Sequence, residues 1–206
     1  MIVSRLEEVF RFVSRFAALN ILWIAFSVAG LGVLGVFPAT FALFASVQHW
    51  MRVEEPKPVH RVFTASFKEY FFKANAYGYL FAGAGVLLYF NYFIMQNNGL
   101  SIPLPVTLAF LSLVLVYFLM LIVFIPVSVY YNRGLMASMK LTIQFIFGKL
   151  HVAVLLGVII WGGAYLSLAF PALLVFFSGS VLAYMLMWFF NQTIEKIEMN
   201  HLQTKN

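Results

Sequence analysis

The chain has 206 residues, of which 63% are hydrophobic and only 10% charged. A soluble domain carries about 25% charged residues, so this composition excludes a surface that faces water all round, as does a mean hydropathy of +0.93. The net charge of +6 does not point to nucleic acid: the Lys and Arg residues lie in short segments between apolar runs, where they meet anionic lipid headgroups.

With no cysteine, disulfides, thiolate metal sites and Cys nucleophiles are all excluded. The opening apolar run is too long for a cleavable leader, so residues 1–206 read as one integral membrane domain. Its fold class is all-α: a polytopic transmembrane helix bundle of about six segments, each crossing needing about 20 apolar residues, with interfacial amphipathic helices.

Residues 2–16 place Leu6, Val9, Phe10, Val13 and Phe16 at helical spacing opposite Arg5, Glu8, Arg11 and Arg15. That is the pattern of an amphipathic interfacial helix. From Phe16 to Met51 no charged residue occurs. As one helix this run would measure roughly 54 Å, against a hydrocarbon core of about 30 Å. Gly30, Gly32, Gly35 and Pro38 interrupt its middle, so residues 17–52 are expected to form a helical hairpin. The second arm opens at Pro38, which suits a first helical turn, and it can be short or re-entrant. One long helix, giving five crossings in all, is the rival reading.

Residues 53–73 carry Glu54, Glu55, Lys57, Arg61, Lys68, Glu69 and Lys73, with Val59, Val62, Phe63, Phe67, Tyr70 and Phe71 on one helical face. This segment is expected to be a basic interfacial helix. Spans over 74–95 and 104–130 follow, the latter bent at Pro126. A basic connection holds Arg133, Lys140 and Lys149. Two further spans, 151–169 and 171–191, meet at Phe170-Pro171, and residues 192–206 form a cytoplasmic tail. With the hairpin, all 13 Lys and Arg fall on one side, which places both termini in the cytoplasm.

The motifs that suggest chemistry are weak. Gly30-Leu-Gly32-Val-Leu-Gly35 matches G-x-G-x-x-G, yet no strand precedes it and no acidic residue follows at the distance a dinucleotide site needs. Close helix packing explains these glycines, and Ala82-Gly83-Ala84-Gly85 and Gly162-Gly163, better. His49, His60, His151 and His201 are scattered, so no metal site is expected. There is no Asp, and every Glu lies in a surface segment, which leaves no buried carboxylate for ion coupling. No catalytic residue and no cofactor is expected. The polar residues within the spans, Asn20, Asn75, Tyr77 and Tyr130, either hydrogen-bond between helices at about 1 kcal/mol or less each or line a cavity for a neutral polar ligand. Gly35, Pro38, Ala39 and Thr40 mark the hairpin break, whose helix start could face an anionic group. Phe37-Pro38-Ala39 returns as Phe170-Pro171-Ala172, a faint sign of duplicated hairpins.

Asn20-Ile-Leu-Trp23 followed by Gly35-Val-Phe-Pro38-Ala39-Thr40-x-Ala42-Leu43 resembles the opening of the YesL family of bacterial membrane proteins of unknown function. Phe72-Lys73-Ala74-Asn75 and the Pro126 run resemble later parts of that family, so the likeness covers roughly residues 5–195. Phe37 departs from the small residue expected before the proline. The resemblance implies association with carbohydrate uptake, because family genes often neighbour those for ATP-binding-cassette sugar importers. It brings no catalytic residues. The expected function is therefore a non-enzymatic accessory of sugar uptake, whose partners are importer subunits met at Arg61, Lys68, Lys73 and Arg133. A small-molecule carrier or binder is the alternative.

Overall fold

The computed structural model describes residues 2–53, 57–97 and 103–203. Glu54, Glu55 and Pro56, the middle of the loop between Gln96 and Pro103, the last three residues of the tail, and the side chains of Arg5, Leu6, Glu8, Val9 and His201 lie outside the described residues. The elements are α1 (Ile2–Ala29), α2 (Val36–Arg52), α3 (Val59–Asn97), α4 (Leu104–Tyr131), α5 (Leu135–Gly148), α6 (Leu150–Ala169), α7 (Pro171–Leu173) and α8 (Gly179–Gln203), with one π-helical turn at Leu174–Ser178 before α8. Among the described residues there is no strand, and five helices are long and apolar enough to cross a membrane.

The hairpin is present. Phe12 and Phe16 of α1 each lie 5.2 Å from Trp50 at the far end of α2, while Trp23 reaches Thr40 near its start. The two arms therefore run antiparallel. The turn between them is tight: a Cβ on Gly35 would strike the Phe26 and Ser27 carbonyls, and Gly32 takes a positive φ of 70°. Leu31 is also left-handed at φ 58° and is 84% exposed. With Val33, Leu34 and Val36 also exposed, the tip is wholly apolar on its outside.

The short arm α2, with 17 residues, spans about 26 Å and becomes the centre of the bundle. Pro38, Ala39, Phe41, Ala42, Leu43, Phe44, Ser46, Val47 and Gln48 are buried, because α1, α3, α4 and α8 all pack around it.

Elsewhere the helices run through boundaries expected from composition. Residues 2–16 and the first arm are one helix, α1. The boundary expected at 73/74 is absent: α3 is continuous over 39 residues, about 58 Å. No Pro or Gly lies near Lys73, and a change from amphipathic to apolar composition does not break a backbone. The basic connection after α4 is mostly helix α5, which buries Ser138, Thr142, Phe145 and Ile146. The tail continues α8 as far as Gln203. Phe170 does break the chain between α6 and α7.

Burial is concentrated at one end. Among the described residues, α3 buries nothing after Phe81 and α4 nothing before Leu119. Those far halves expose Leu87, Phe90, Leu111 and Leu113, as suits walls covered by lipid, where apolar side chains need no protein partner. Arg52, Lys57, Arg133, Lys149 and Glu198 lie at the opposite, charged end, where α2, α4 and α8 meet the beginnings of α3 and α6.

Candidate functional site

The amides expected within the spans join helices. Asn20, fully buried on α1, donates from Nδ2 to the Val175 carbonyl at 2.6 Å and accepts from the Ser180 backbone N–H at 3.1 Å. A π turn disturbs the regular hydrogen-bond ladder, and Asn20 satisfies a carbonyl inside this one and an N–H just beyond it. Asn75 on α3 donates to the Leu34 carbonyl at 3.1 Å and to Phe71 at 2.9 Å, while Tyr79 donates to Val33 at 3.0 Å. Two turn carbonyls are thereby paired, as they must be wherever water is excluded. The Asn75 Oδ1 is buried without a partner.

At the hairpin break, Thr40 accepts from the Trp23 indole at 3.1 Å and donates to the Val36 carbonyl at 2.7 Å. Pro38 and Ala39 are buried and Gly35 closes the turn, so protein fills the start of α2. Tyr77 packs its ring 5.4 Å from Phe124 and 6.0 Å from Phe41. Of the other small residues, Gly85 meets Tyr117 and Gly163 meets Leu182, whereas Gly83 and Gly162 face open space.

Tyr130 belongs to a different group, at the charged end. The Arg52 guanidinium lies 4.2 Å above its ring, and Phe190 packs 5.5 Å from it. Beside them Gln48 is buried against Asn191. With its amide oxygen turned toward Arg52, Gln48 accepts from Nε at 2.7 Å and Nη2 at 3.1 Å, and its nitrogen donates to Asn191 Oδ1 at 3.2 Å. That orientation matches donors with acceptors at both ends. Sequence reasoning passed over Gln48 and Arg52. Their i,i+4 spacing at the end of an apolar helix was the available signal.

Next to this cluster, a cleft of about 530 Å³ opens between α4, α5 and α8 at the start of α6. Tyr131, Gln144 and Lys149 supply its polar groups, and Phe145, Phe190 and Ile194 are among its apolar walls. Arg133 stands at its margin, 5.9 Å from the Tyr131 ring. Asn132, the neighbour of Arg133, donates to Glu69 at 3.3 Å, which joins the end of α4 to the stretch of α3 that carries Lys68. Arg61 lies nearer the start of α3, and Lys73 lies two residues before Asn75, close to the hairpin turn. All four basic residues are exposed. Among the described residues no group of three His, Cys or acidic side chains could hold a metal ion. The arrangement is suited to binding: a volume in the range of small-molecule sites, mixed walls and a few fixed polar groups.

Residues 16–92 match the family model described as a protein of unknown function, DUF624. These residues are the hairpin and α3, the part of the chain with the buried central helix. The uncharacterized protein YesL of Bacillus subtilis (strain 168) is 29% identical over 185 residues, covering 90% of this chain and 87% of that protein. The chain is thus similar to YesL over most of its length, and its five long apolar helices are those of a membrane protein. Two further uncharacterized proteins of the same organism are similar over most of their length. YteU is 25% identical over 96% of this chain and 89% of its own, and YesV is 27% identical over 93% and 92%. No solved structure matches this chain.

Proposed function

We propose that this chain is a non-enzymatic, multi-pass protein of the bacterial cell membrane, with both termini cytoplasmic, that assists carbohydrate uptake by binding importer subunits at its charged end. One observation carries the choice of accessory over carrier. Asn20, Asn75, Tyr79 and Tyr117 each bond a backbone group of another element, while Lys149 lines the open cleft and the exposed Arg133 lies 5.9 Å from the ring of Tyr131 in its wall. A carrier needs polar groups available along a path through the membrane. The cytoplasmic assignment rests on the positive-inside rule, the same charges favour anionic headgroups, and the link to carbohydrate uptake rests on the family resemblance.

The test is affinity purification of the full chain from native membranes in mild detergent, with mass spectrometry of everything retained. Importer subunits of the ATP-binding-cassette type are expected in near-stoichiometric amount, and Arg61→Glu with Arg133→Glu should release them. Recovery of the chain alone overturns the accessory reading. The cleft favours the second reading, a binder of small uncharged polar molecules, which would then be carried by ligand-dependent thermal stabilisation across a sugar panel.

A further inference from the structure

Two cations and a histidine lie together where α1, α2 and the start of α3 meet. Arg15 of α1, His49 of α2 and Lys57 just ahead of α3 line one small cavity of about 20 Å³, together with Ser46 and the Trp50 ring. The His49 Nε2 is buried and has no hydrogen-bond partner among the described residues. Arg15 lies over the Trp50 ring, 5.3 Å from its centroid, and among the described residues no acidic side chain lines this cavity.

A guanidinium and an ammonium brought close together repel one another, and a buried imidazole nitrogen without a partner is costly. Both costs are relieved by one anionic oxygen inside the cavity, which has room for a single water-sized group. Guanidinium and ammonium groups at the mouth would hold the remaining oxygens of the same group by charge-assisted hydrogen bonds. Trp50 is a residue type that sits at headgroup depth.

We propose that Arg15, His49 and Lys57 form a binding site for one phosphate group, as an anionic phospholipid headgroup or free phosphate presents it. The site is distinct from the cleft and does not depend on the importer reading.

The test uses the full chain in neutral detergent, with native mass spectrometry and Trp fluorescence during titration with phosphatidylglycerol, phosphatidylcholine or inorganic phosphate. Saturable retention of one phosphatidylglycerol per chain, with little phosphatidylcholine, identifies a lipid headgroup. Equal saturation by inorganic phosphate identifies the free ion at the same site. In either case Arg15→Gln with Lys57→Gln should weaken binding roughly tenfold or more. His49→Gln, a milder change, should weaken it less. Arg61→Gln with Lys68→Gln removes the same charge elsewhere and should leave binding intact. If neither ligand saturates, as when a water or a carboxylate of this chain fills the cavity, the proposal is overturned. Equal loss in the Arg61 and Lys68 control, which would mean non-specific charge attraction, also overturns it.

Discussion

Asn20 holds α1 to the irregular start of α8 through two bonds to backbone groups. Asn20→Leu keeps the side chain's volume but leaves the Val175 carbonyl and the Ser180 N–H unpaired away from water. The expected loss is about 1–3 kcal/mol, read as a lower Tm in detergent, and an unchanged Tm would show that the bonds contribute nothing. The residue itself stood out in the sequence as a buried amide. Its partner did not, because Val175 is 155 positions away, and although Pro171 and Gly179 flank the π turn at Leu174–Ser178, only the fold brings Gly179 against Asn20. Asn75 is the same kind of case: its place at the start of an apolar run could be read from the chain, but its pairing with Leu34 depends on where the hairpin ends.

At the scale of the elements, the hairpin stops short. Its turn is tied to Asn75 and Tyr79 of α3, and α3 continues to Asn97, about 27 Å further along its axis. Lys73, the last charge before Arg133, lies just below the turn. The apolar tip with exposed Leu31 and Val33 therefore ends beside the near part of α3's uncharged length and does not reach the α3–α4 loop. The chain has no cysteine, so single replacements can be labelled cleanly. Leu31→Cys is expected to resist a membrane-impermeant maleimide from either face of the membrane, whereas Asn97→Cys should be labelled from the face opposite the charged end. Labelling of both from that face would mean the tip crosses. Glycine spacing made the break readable, but the depth of the turn is a property of α3, which is remote in sequence.

Across the whole molecule, packing is uneven by design of the solvent it meets. Ala42 at the centre of α2 is 0% exposed, while Leu87 on the far half of α3 is 65% exposed. Ala42→Leu forces extra volume between four surrounding helices and should cost about 1–3 kcal/mol. Leu87→Ala, on a wall that lipid covers, should stay within about 0.5 kcal/mol. Thermal unfolding of the two variants in one detergent checks the contrast, and equal losses would contradict the placement of the core. A sequence profile ranks these positions the other way, since the bulky Leu87 looks more like a core residue than a small alanine does.

Composition alone determined that this is a helical membrane protein, because a chain so poor in charge can satisfy its backbone in lipid only within helices or a closed barrel, and its apolar runs have helical length. The hairpin break and the segregation of charge were equally local, being written in Gly, Pro, Lys and Arg. Only the tertiary structure decided that the shortest arm is the central helix, that two expected segments are one continuous α3, and that Gln48, Arg52, Tyr130 and Asn191 meet beside a cleft. Those outcomes depend on which helix faces another and which faces lipid. Both surroundings are apolar, so hydrophobicity along the chain cannot tell them apart.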